Sequence, residues 1–104
     1  MAQITVRFGR GGAPSQAGGV SQVFDAYAQV EELSSSGTSA ATTITATKHD
    51  VARVTNHDAS QLVWVTFGAS PTAAVGTTHP IAPGATEDLG AIGEGHKMAV
   101  IDDS

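Results

Sequence analysis

The sequence predicts an all-β fold: a small antiparallel β-sandwich or barrel of about six to eight short strands with an extended Gly-rich N-terminal segment. Three observations predict it. Residues 3–8 alternate, with Ile4, Val6 and Phe8 on one face and Gln3, Thr5 and Arg7 on the other, the period of a half-buried strand. Residues 51–73 carry two β-rich runs, 51–55 and 62–67, around the polar turn Asn56-His57-Asp58-Ala59-Ser60, and read as a hairpin. Turn signals recur roughly every eight to twelve residues, as expected of a sandwich and not of an α/β chain. At 104 residues the chain suits a single domain, 1–104, with a modest core.

The elements follow in order. Residues 9–19 hold five glycines and a proline, too many for regular structure. They read as an arm lying on a partner or as a connector, and Arg10, Gly11, Gly12 and Pro14 are its candidate contacts. Residues 20–33 fit two patterns. Val20, Val23, Phe24 and Tyr27 partly fit a helical face with Ser21 as cap, while residues 25–33 alternate. A strand over 25–33 is expected, a short helix being the alternative. A Ser-rich linker, 34–39, leads to a β-prone run, 41–47, with Ile44 as its one large apolar side chain. Residues 48–50 read as a turn and 68–78 as a loop. Pro83-Gly84 is a turn in which proline presets one backbone angle and glycine supplies a positive one. A short strand over 85–89, a glycine-rich turn over 90–95, a last strand over 96–101 and a solvated acidic tail, 102–104, complete the chain.

The run 62–67 is apolar at both parities, which places it between two covered surfaces. Val63, Val65 and Phe67 suit the core, with Ile4, Val6, Phe8 and residues 98–101 as partners. Leu62 and Trp64 then face a loop, a sheet edge or another subunit, and are the second candidate interface. Burying the Trp64 ring there would contribute on the order of 2 kcal/mol.

Composition narrows the function. The net charge is −5, and the five cations (Arg7, Arg10, Lys48, Arg53, Lys97) are scattered, whereas a nucleic-acid groove needs them clustered. Only 14% of residues are charged, which suits a surface covered by partners or solvated by Ser and Thr. With no cysteine there is no disulfide or thiolate metal site. No apolar run approaches the ~18 residues of a membrane span, and the N-terminus lacks a signal peptide's apolar segment, so synthesis in the cytoplasm is expected. His49, His57, His79 and His96 are too far apart for a local metal pair and are expected to be solvated. Gly-x-Ser-x-Gly is absent, and the glycines at 9–12 are not followed by a Walker lysine or a helix. Glu31-Glu32, Glu87-Asp88 and Asp102-Asp103 have no flanking sugar-binding aromatics and read as solvated. No catalytic, cofactor or metal site is expected, and an enzyme is the least favoured class.

The order VARVTN at 51–56, LVWVTFGASPTA at 62–73, His79-Pro80-Ile81, Pro83-Gly84 and HKMAVI at 96–101 resembles small β-sandwich virion proteins of tailed bacteriophages, among them head decoration (cement) proteins and related accessory proteins. The resemblance covers residues 51–104, about half the chain, and is a pattern without a diagnostic motif. It implies a structural protein on the outer capsid surface, without an active site, bound to the major capsid protein and assembled as a homo-oligomer, a trimer by preference. A tail, head–tail joining or fibre-base protein is the alternative within the virion, and a non-viral ligand-binding module the alternative outside it. An arm over residues 1–19 is expected to be removable without loss of the fold.

Overall fold

The computed structural model describes residues 2–9, 29–47, 50–90 and 92–103. Among these residues eight strands run in the order β1 (Gln3–Gly9), β2 (Gln29–Ser34), β3 (Ala40–Ala41), β4 (Val51–Asn56), β5 (Val63–Gly68), β6 (His79–Ile81), β7 (Thr86–Leu89) and β8 (Lys97–Asp102). They form two four-stranded antiparallel sheets, β2-β1-β4-β7 and β3-β8-β5-β6. No helix occurs among the described residues. The chain is a small β-sandwich.

One cluster of apolar side chains fills the space between the sheets. Ile4, Val6, Phe8, Ala52 and Val54 come from the first sheet, and Val63, Val65, Ile81, Met98 and Val100 from the second. The inward sets in β1 and β5 are those the alternation predicts. Phe67 packs against this cluster, its ring 6.3 Å from that of Phe8 in an edge-on arrangement.

The expected hairpin over 51–73 is not formed. β4 pairs with β1 and β7, whereas β5 pairs with β8 and β6. The intervening turn carries the chain from one sheet to the other. Both strands own a fully buried face, Ala52 and Val54 on β4 and Val63 and Val65 on β5. Stacking those faces removes apolar surface that side-by-side pairing would leave open. The Pro83-Gly84 turn makes a similar crossing, from β6 in the second sheet to β7 in the first, with Gly84 at φ 73°.

Asn56, fully buried, sets the first crossing. Its Nδ2 donates to the carbonyl of Gln61 at 2.7 Å and to that of Ile81 at 3.3 Å. Its Oδ1 accepts from the Asp58 amide at 3.0 Å, and its own amide donates to the Ala85 carbonyl at 2.9 Å. Asp58 then stabilises the bend, accepting from the amides of Ser60 and Gln61.

Three further expectations change. The β-prone run 41–47 is not a strand beyond Ala41. Thr42 and Ala46 donate their amides to the carbonyls of Met98 and His96, so the four-residue step from 42 to 46 spans two residues of the neighbouring chain. Residues 43–45 therefore bulge from the sheet edge. The acidic tail is not a free solvated end: Asp102 belongs to β8 and accepts from the Ser35 hydroxyl, while the Asp103 amide donates to the Leu62 carbonyl at 2.9 Å. The expected removal of residues 1–19 would take β1 with it, which lies between β2 and β4 and supplies Ile4, Val6 and Phe8 to the core; residues 10–19 lie outside the described residues. Of the ambiguous segment, the strand reading holds from Gln29 onward, and residues 20–28 lie outside the described residues.

Replacing Asn56 with Ala should lower stability by about 1–3 kcal/mol, because it leaves the Gln61 and Ile81 carbonyls and the Asp58 amide without their partner. Urea denaturation should show the midpoint falling with little change in slope.

Candidate functional site

The second sheet's outer face carries the candidate site. With Val63 and Val65 inward, Trp64 points outward, and the register sets it between Pro80 on β6 and Ile101 on β8. Directly paired side chains on one face lie about 5 Å apart, so the three form an apolar row across three strands. Trp64 and Ile101 are half-buried and Pro80 is exposed. The indole Nε1 donates to Asp103 Oδ1 at 3.0 Å, which fixes the ring's orientation. Gln61 braces the same corner, its Nε2 donating to the carbonyls of Leu62 and Asp103, each at 2.8 Å. Leu62 itself is half-buried, just before β5.

The chain's own loop covers the adjoining part of this face. Ala99, outward between Ala41 and Thr66, is fully buried. The Ala73 amide donates to Ser39 Oγ at 2.9 Å, so the loop that leaves β5 crosses over β8 to reach the approach to β3. Of the coverings open to Leu62 and Trp64, a loop is thus realised beside them, and the Trp64 ring retains exposed surface.

The outer face of the first sheet is polar. Arg53 reaches Asp88 through two hydrogen bonds, 2.8 and 3.1 Å, across the β4–β7 pair. Thr55 meets Thr86 at 3.0 Å, and His57 meets Thr5 at 2.7 Å. The Arg53 hydrogen bonds hold the Asp88 carboxyl below the ordinary range against a small opposing desolvation, with the Arg53 charge adding to the effect. Asp58 is lowered too, by the amides of Ser60 and Gln61.

The remaining candidates scatter. Arg10, Gly11, Gly12 and Pro14 lie outside the described residues. β1 ends at Gly9, opposite Val51, and β2 begins at Gln29. Leu62 and Trp64 lie near the other end of the sandwich, where Ser35 meets Asp102. Six-residue strands span roughly 20 Å, so Gly9 and Gln29 lie about that far from Trp64. His57 and His79 are exposed, His79 bonding Glu87 at 2.8 Å, and the His96 ring packs where a Cβ on Gly93 would meet it at 2.6 Å. His49 lies outside the described residues. Among the described residues no three His, Cys, Asp or Glu side chains gather as for a metal, and no helix is long and apolar enough to cross a membrane. The acidic pairs are tied to neighbours: Glu31 to residues 43 and 44, Glu87 to His79, Asp88 to Arg53 and Asp103 to Trp64. Sequence reasoning missed Asp103 and Gln61, because the contacts that matter are 39 and 42 positions away along the chain.

Comparison with protein-family models, curated proteins and solved structures finds no match for this chain.

The single tryptophan reports on the site. Asp103→Ala should move Trp64 emission to longer wavelength and increase its quenching by acrylamide. On the opposite face, Asp88→Asn should cost less than about 1 kcal/mol, since the pair is exposed and screened. The folded carboxyl is more acidic than the unfolded one, so its contribution is present above about pH 4 and is lost as pH falls through the folded value. Urea midpoints of Asp88→Asn and the parent should therefore differ at neutral pH and converge in acid.

Proposed function

We propose that this chain is a structural virion protein of a tailed bacteriophage, a capsid decoration protein that binds the major capsid protein lattice and stabilises the head. The observation that carries the reading is the Pro80–Trp64–Ile101 row, an apolar strip with a pinned, partly exposed indole beside the part of the sheet face that the chain's own loop covers. Tryptophan anchors of this kind supply much of the energy of protein–protein contacts when a partner completes their burial. The strand and turn order over residues 51–101 supports the same reading through its resemblance to such virion proteins. A sandwich whose sheets are closed on each other is a rigid body, and rigid bodies add stability to a lattice by burying area across its joints. In this reading the protein works as a homo-oligomer, a trimer by preference, on the outer capsid surface, and performs no catalysis.

Antibody labelling of purified particles tests the location. Label over the whole head, with a copy number comparable to that of the major capsid protein, is the expected result. Label confined to the tail or neck would transfer the protein to those structures, and unlabelled particles would overturn the virion reading. Trp64→Ala should weaken head binding at least about tenfold, measured by co-sedimentation with heads that lack the protein. Unchanged binding by a folded variant would remove the Trp64 row from the interface.

A further inference from the structure

The first sheet's edge strand, β2, points a carboxylate inward, where an edge strand of a sandwich would ordinarily place an apolar side chain. Glu31 is the register partner of Val6, whose side chain is fully buried. A single oxygen, Glu31 Oε1, accepts three hydrogen bonds: from the Thr43 amide at 2.9 Å, the Thr43 hydroxyl at 2.8 Å and the Ile44 amide at 3.1 Å. Two residues earlier on the same face, Gln29 Nε2 donates to the Thr45 carbonyl at 2.7 Å. At the far end, Asp50 Oδ2 accepts from the Thr47 amide at 2.8 Å. Residues 43–47 belong to the second sheet's side, because Thr42 and Ala46 bond the backbone of Met98 and His96. The bulge is thus fastened across the open flank of the sandwich by side chains of β2, and it holds Ile44 against the core.

We propose that residues 42–47 form an acid-released strap, latched across the sandwich flank by the ionised Glu31 carboxylate. Protonation removes the negative charge to which all three donors point, and a neutral acid accepts such bonds more weakly. The strap's Thr43 and Ile44 amides then lose their partner, while its bonds to Met98 and His96 keep it attached along β8. Among the described residues Glu31 is the carboxylate that bonds Thr43 and Ile44. On β1, the side chains facing it are Ile4, Val6 and Phe8, and Arg7 lies on the opposite face, as does Glu32 on β2. On the strap they are threonines, Ile44 and Ala46. Asp50 holds Thr47, and His96 contributes its carbonyl to Ala46. Lys48 and His49 lie outside the described residues.

The direction of titration agrees. Burial alone would raise the Glu31 pKa, but the Thr43 hydroxyl and the Ile44 and Thr43 amides outweigh it and lower it from 4.5. The folded value lies below the unfolded one, so the latch is intact above the ordinary glutamate range and opens as pH falls through the folded value.

Amide hydrogen exchange by NMR, expressed as protection factors at about pH 6.5 and about pH 3, tests this on the whole chain. Protection at Thr43 and Ile44 should fall about tenfold or more in acid, while Val54 and Val65 in the central strands stay protected. Glu31→Gln, neutral at every pH, should show weak protection at Thr43 and Ile44 already at pH 6.5 and little further change. Undiminished protection of the two amides in acid would overturn the latch, as would their loss in step with Val54 and Val65, since that is global unfolding. Should Glu31→Gln not fold, the pH series on the parent protein alone decides between these outcomes.

Discussion

The structure depends on one buried amide. Asn56 ends β4 and bonds three segments through its side chain: the turn that follows it, the approach to β5, and the end of β6. These partners belong to the second sheet or to the connection that leads to it. Without that set of bonds the two carbonyls and the Asp58 amide would have to find water or stay unpaired. The polar group stays in the core because its hydrogen-bonding capacity is used there, and in return it specifies where the chain leaves one sheet for the other. The neighbouring Ser35 does similar work at the same end of the sandwich. Its hydroxyl accepts from the Ala2 amide at 2.8 Å and donates to Asp102, joining the start of β1 to the end of β8.

A sandwich has two flanks where its sheets do not meet, and polar contacts close both here. On one flank His79 of β6 reaches Glu87 of β7 at 2.8 Å. Both are inward by register, opposite Val65 and Val54, yet each is partly exposed at the rim. On the other, Glu31 and Gln29 of β2 hold the bulge at 43–45. Inward charges on edge strands also discourage edge-to-edge association with another sheet. This confines the best candidate for a partner surface to the outer faces. There the first sheet is polar, with Arg53–Asp88 and Thr55–Thr86, and the second carries the Trp64 row.

Much of the fold is legible in the residues. The alternation of Ile4, Val6 and Phe8, and of Val63, Val65 and Phe67, identifies the core faces, because side-chain direction in a strand follows from the period of two alone. The turn at Pro83-Gly84 is legible because its conformational demand is local, and Gly84 does adopt a positive φ. The site is legible by half. Trp64 is correctly turned away from the core, but the loop that covers Ala99 beside it and the Asp103 carboxylate that orients it come from distant positions. The misread run 41–47 has strand propensity, and what diverts it is Glu31 and Gln29, more than ten residues earlier in the chain.

By itself, the sequence determined the class of fold, the places of β1, β4, β5, β7 and β8, and the inward faces of β1 and β5, since these follow from local conformational preference and from the pattern of apolar residues. Only the tertiary structure decided which strands pair. A turn such as 57–62 serves a hairpin or a crossing equally well as far as its own residues go. The choice falls to the crossing because two fully buried faces, Ala52 with Val54 and Val63 with Val65, are stacked by it, and because it brings the Ile81 carbonyl to the Asn56 side chain.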